Sequence, residues 1–153
     1  PICLFILVRY KRQLDNSKKA REKMSYASLL GGVCVANAST CLPHRLQQAM
    51  GGVIDVSHGK GLSTLYKSWV KIAYPFKKNK FDTLINILGD DNSPNITINN
   101  FMKKINMDYS ISDLGAKKSD IDLFIDRISG NLNNDPIDDI DTELIRRIYS
   151  DSF

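Results

Sequence analysis

The sequence predicts an all-α domain, six to eight helices packed around a central buried helix at about residues 18–38. Apolar residues recur at helical spacing along most of the chain. No stretch reads convincingly as a strand; short runs such as Val53–Val56 are the exceptions to weigh. A length of 153 residues fits one domain with a buried core of its own.

The elements follow in order. The apolar run PICLFILV at residues 1–8 is far short of the ~20 residues that span a bilayer. It also lacks the charged start and small-residue cleavage site of a signal peptide. It reads as the end of a helix, continuing to about residue 14, whose beginning lies in a longer protein. Asn16 or Ser17 can cap the next helix, about Lys18 to Ala38. Ala20, Met24, Ala27, Leu30, Val33 and Ala36 recur along it at helical spacing, and Gly31-Gly32 suggests close approach of another helix or a ligand. Pro43 suits the first turn of a short helix carrying His44 to about Met50, which Gly51-Gly52 would end. Residues 53–57 read as a loop. Further helices are expected at about Leu62–Tyr74, stopped by Pro75, at Lys78–Leu88, closed by Gly89, and at Ile96–Ile105. Ser119 with Asp122 resembles a capping box leading into IDLFIDRIS. Gly130 ends that helix, NLNNDPIDD is a loop, and a last helix covers about Thr142–Tyr149.

Charge is uneven. Residues 1–80 hold 14 Lys/Arg against 3 Asp/Glu, and residues 81–153 hold 7 against 14. One reading is a basic face for an anionic partner such as nucleic acid, which would make the chain a non-catalytic helical binding module. The other is that the halves face each other or a neighbour. The basic residues are scattered singly, with no interleaved aromatics, which favours the second reading and argues against a nucleic-acid partner. Three cysteines with no C-x-x-C pair suggest reduced thiols in a cytoplasmic protein rather than a zinc ribbon. No membrane partner is expected.

The chemistry concentrates in residues 39–63, which hold both histidines, His44 and His58, fourteen positions apart, and four of the nine glycines. Gly59-Lys60 is not a P-loop, because position 54 is Ile and position 61 is Gly. No glycine-rich dinucleotide fingerprint follows a strand. Ser57, His58 and Asp55 are loop neighbours without a nucleophile elbow. On spacing alone, His44 and His58 are either ordinary polar histidines or two ligands converging on one cation, and two ligands do not hold a metal firmly. Cys41 is either a further metal neighbour or a buried thiol, and Tyr66 and Trp69 read as packing residues.

AREKMSYAS at Ala20–Ser28, ASLLGG at Ala27–Gly32, His44, AMGG at Ala49–Gly52 and SHGKG at Ser57–Gly61 resemble the C-terminal helical domain of the iron-containing (group III) alcohol dehydrogenases. ISDLG at Ile111–Gly115 and NDPIDDIDTELIRRIY at Asn134–Tyr149 are similar to later segments of that family. The resemblance implies a longer two-domain enzyme that interconverts a small alcohol and its aldehyde. An upstream domain would bind NAD or NADP, and one divalent metal, Fe²⁺ or Zn²⁺, would sit on an Asp and three His. His44 and His58 match the last two of those ligands; the other two would lie upstream, so this chain alone would be inactive. Gln48 stands where many members carry a further His facing the nicotinamide. It is therefore the expected cofactor-binding residue, but an amide cannot relay protons as an imidazole would. Arg45 and Lys60 could neutralise an anionic substrate. A homo-oligomer is compatible with the sequence.

Overall fold

The computed structural model describes residues 18–88 and 93–153, and among them every regular element is helical. Among the described residues seven α-helices run in order: α1 Lys18–Ala38, α2 Leu42–Ile54, α3 His58–Ala73, α4 Lys78–Leu88, α5 Pro94–Lys104, α6 Ile121–Asp126 and α7 Thr142–Ser150. Three short 3₁₀ turns, Tyr74–Lys77, Ser112–Leu114 and Lys118–Asp120, join them. None of these helices is long and apolar enough to cross a membrane. The helix expected over residues 2–14, its cap at Asn16 or Ser17, and the closing Gly89 lie outside the described residues.

The centre of the domain is α3, which packs against α2, α5 and α7. Leu65, Trp69, Val70 and Ala73 on its inner face are buried. They meet Leu42, Leu46 and Met50, spaced four apart on α2, and Phe124, Ile148 and Tyr149 from α6 and α7. Two polar ties close this core. The Tyr149 hydroxyl donates to the Leu46 carbonyl at 2.8 Å, and the Ser68 and Ser152 hydroxyls meet at 2.9 Å.

The expectation of a central helix at 18–38 is corrected. In α1 only Ala20 and Ala27 are buried, while Leu29, Val33 and Val35 are 63%, 51% and 49% exposed. Its apolar residues are spread around the axis rather than gathered in one stripe, so no single face is directed at the core. The small residues suggested a tight neighbour, yet a Cβ on Gly31 or Gly32 would meet nothing within 4 Å. Among the described residues no other element packs extensively on this helix.

Other boundaries moved for local reasons. Helix α2 continues through Gly51-Gly52 to Ile54, where Asp55 takes a left-handed conformation (φ 46°, ψ 55°) and its N–H bonds the Gly51 carbonyl. Helix α3 starts at His58, four residues before the expected start, because Gly61 N–H already bonds the Ser57 carbonyl at 3.0 Å. Asp120, rather than Asp122, caps the segment before α6, accepting the Lys117 N–H at 2.8 Å.

Candidate functional site

The α2–α3 corner carries both histidines. Helix α2 begins with Pro43 in its first turn and has no side-chain cap at Cys41. Its opening N–H groups need an acceptor, and one is supplied from 93 positions away: the Asp135 carboxylate accepts the Leu42 N–H at 2.7 Å. The same carboxylate accepts the Trp69 indole N–H at 3.1 Å and the Ile137 N–H at 3.1 Å. Burial pushes the Asp135 carboxyl above its ordinary value, opposed by these donors. Asp135 thus ties the start of α2 to Trp69 in the C-terminal half of α3 and so sets where His44 stands.

His44 lies in the first turn of α2 and is half-buried; His58 opens α3 and is exposed. Only Asp55, Val56 and Ser57 separate the two helices. That tight return brings the rings to a centroid distance of 5.1 Å, with planes inclined by 46°. Burial, and then the neighbouring His58 and Arg45, lower the His44 pKa, which favours the neutral imidazole that can donate a lone pair.

Beneath the pair lies Gln47, which is 4% exposed. Its Oε1 contacts His58 Nδ1. Two glycines make the slot it occupies: a Cβ on Gly51 would fall 2.9 Å from Gln47 Nε2, and one on Gly61 would fall 2.8 Å from Gln47 Cγ. The sequence reading missed Gln47. Its available signal was the glycine one helical turn further on, at position 51, facing a residue that an amphipathic pattern places inside. Gln48, the residue that reading singled out, is exposed, and its Oε1 takes only a long 3.4 Å bond from Arg45 Nη1.

The remaining candidates are used elsewhere. The Lys60 ammonium sits 5.3 Å over the Tyr109 ring. The Cys41 thiol packs against the core, and burial pushes it up to about 11, with Asp135 adding to the rise. Trp69 and Tyr66 stack edge to face at 5.7 Å, as packing residues. His58 Nδ1 is engaged by Gln47, so Asp55 does not orient it as a hydrolase triad would require. Among the described residues two ion pairs, Lys67–Asp108 at 2.8 Å and Lys78–Asp82 at 2.6 Å, join the basic half to the acidic half.

Chemically, the corner offers two imidazole donors. If a divalent cation were held here, His44 and His58 would be the two imidazoles placed to donate to it. Among the described residues no group of three or more His, Cys, Asp or Glu could complete such a shell.

Comparison with known proteins places this geometry in context. The model of the Fe-containing alcohol dehydrogenase family, C-terminal, matches residues 4–153. The 1,3-propanediol dehydrogenase of Klebsiella pneumoniae is 28% identical over 128 residues, 75% of this chain and 33% of that protein. Alcohol dehydrogenase 4 of Schizosaccharomyces pombe is 29% identical over 139 residues, 81% of this chain and 32% of that protein. The chain therefore spans about a third of the length of these curated relatives. A crystal structure of 1,3-propanediol oxidoreductase superposes with a TM-score of 0.88 at 22% identity, covering 99% of this chain and 43% of that one. An alcohol dehydrogenase from Oenococcus oeni gives 0.87 at 21% identity, with the same coverage. Both share the fold.

Proposed function

The chain belongs to the iron-containing alcohol dehydrogenase family, as its C-terminal domain, and from that premise we propose that it supplies part of the metal site of an NAD- or NADP-dependent alcohol dehydrogenase. The observation that carries the reading is the His44–His58 pair, two imidazoles 5.1 Å apart at the mouth of a helix corner. Neutral imidazole is the ligand form that Fe²⁺ and Zn²⁺ take, and burial favours that form at His44. The remaining donors, an Asp and a third His, and the nucleotide domain belong to the longer protein.

When bound, the divalent metal supplies Lewis acidity toward the oxygen of a small alcohol or aldehyde. This chain's residues do the rest of the local work. His44, anchored by the α2 start that Asp135 caps, and His58, at the first turn of α3, hold two donors on adjoining rigid helices. Gln48, exposed on the same face one turn beyond His44, offers an amide to the cofactor or substrate. It can donate or accept a hydrogen bond there, but it carries no proton relay of its own. A proton leaving the substrate must pass to water or to another group.

The test uses the full-length protein that contains this chain. With Fe²⁺ or Zn²⁺ supplied, it should reduce NAD⁺ or NADP⁺ in the presence of short-chain alcohols. The activity should fall by at least about 100-fold in His44→Ala and His58→Ala. The chain Pro1–Phe153 alone should show none. Robust turnover by Pro1–Phe153 alone, or a full-length enzyme indifferent to both substitutions, would overturn the reading.

A further inference from the structure

We infer that Gln47 fixes the tautomer of His58, keeping the proton on Nδ1 and leaving Nε2 as the ring nitrogen presented to a ligand. This deepens the metal reading above and rests on it only for what that ligand is.

A neutral imidazole has one N–H and one lone pair, and the partner of one nitrogen decides which nitrogen holds the lone pair. The partner of His58 Nδ1 is the carbonyl oxygen of Gln47. A carbonyl oxygen only accepts, so Nδ1 carries the hydrogen. The amide nitrogen of Gln47 points the other way, toward Gly51 and Gly61, where a Cβ would lie 2.9 and 3.1 Å from it. With 4% of its surface exposed, Gln47 sits where water competes poorly for the bond.

Three sequence positions combine to build this arrangement. The helical turn from Gln47 to Gly51, and the glycine in the first turn of α3, clear a slot that a side chain at either glycine would fill. The slot holds Gln47 against Nδ1 of His58, which as a whole residue is exposed. Hydrogen bonding behind the ring fixes the ligating atom and its direction, which is how metal-binding histidines are commonly oriented. Gln47 is thus a positioning residue: it acts through His58, and no contact of its own with substrate or cofactor is required.

The experiment is ¹⁵N NMR of the metal-free, histidine-labelled full-length protein at pH 8, with the His58 signals assigned by their loss in His58→Asn. Wild type should show His58 with Nδ1 protonated and Nε2 bare. Gln47→Met keeps the side-chain length and apolar bulk but has no oxygen to accept the bond, so His58 should lose that single tautomer. Gln47→Glu retains an acceptor and should keep it. Zn²⁺ titration of the same proteins should show affinity reduced about 10- to 100-fold in Gln47→Met and largely restored in Gln47→Glu. A wild-type His58 protonated on Nε2, or a Gln47→Met protein with an unchanged tautomer, would overturn the assignment. An Nδ1-protonated His58 in a protein that binds no divalent cation would uphold the Gln47 assignment and sink the metal reading instead, so the two failures are distinguishable.

Discussion

At the scale of single residues, the polar groups that matter most are buried ones with distant partners. Asp135 satisfies three N–H donors from three segments, including the uncapped start of α2. Asp135→Ala would leave all three buried or half-buried donors unmet. It should cost about 2–4 kcal/mol and lower the melting temperature accordingly, with an additional loss of metal affinity because His44 loses its anchor. A thermal melt unchanged from wild type would remove Asp135 from this role. Cys41 gives a pH signature. Burial raises its thiol from 9.0 to about 11, so the folded protein holds that proton more tightly than the unfolded chain. The stabilisation is present below pH 9 and is lost as pH rises toward 11. In a Cys3→Ser background, exposed Cys34 should alkylate readily at pH 8 while Cys41 stays protected. Equal rates at the two sites would contradict this burial.

These residues also show what a sequence discloses at this scale. The sequence drew attention to His44 and His58 because they are the only histidines and share one segment, and the structure brings their rings together. Gln47 was less legible: Gly51 one turn on hints that it is buried, but its contact with a ring eleven positions away is set by how the two helices meet. The resemblance drew attention to position 48, and the buried neighbour at 47 is the one that touches His58.

At the scale of elements, the glycines separate into two kinds. Gly61 and Gly51 border Gln47 closely, whereas Gly31 and Gly32 border nothing. Gly61→Ala should therefore destabilise the domain by about 1–3 kcal/mol and displace Gln47 from His58. Gly31→Ala, in an exposed helix interior, should stabilise α1 by about 0.5–1 kcal/mol. Denaturant unfolding of both variants checks the pair, and two changes of the same sign would contradict the packing described for this corner. The sequence reading took Gly31-Gly32 as a close approach and Gly51-Gly52 as a helix end, because composition records the missing Cβ and not the neighbour that needs it. The same limit explains α1. Its apolar content is real, but burial is decided by whether another element packs on it. Helix starts and stops set by Pro75, Lys78 and Thr142 were legible, since they depend on local chain chemistry alone.

At the scale of the whole molecule, helical periodicity without strands carried the fold class correctly, and the buried centre proved to be α3 rather than α1. The charge asymmetry is partly answered inside the domain, where Lys67 meets Asp108. A binding module working through its basic half would bind nucleic acid with a steep salt dependence; the dehydrogenase account predicts none. The central claim is that His44 and His58 hold one metal together with groups elsewhere in the longer protein. The most direct measurement is metal content of the purified full-length protein by mass spectrometry, beside circular dichroism to confirm folding. The account predicts about one divalent ion per chain in wild type and in Gln48→Ala, and little or none in folded His44→Ala or His58→Ala. A folded His44→Ala or His58→Ala protein that kept the wild-type metal content would contradict it.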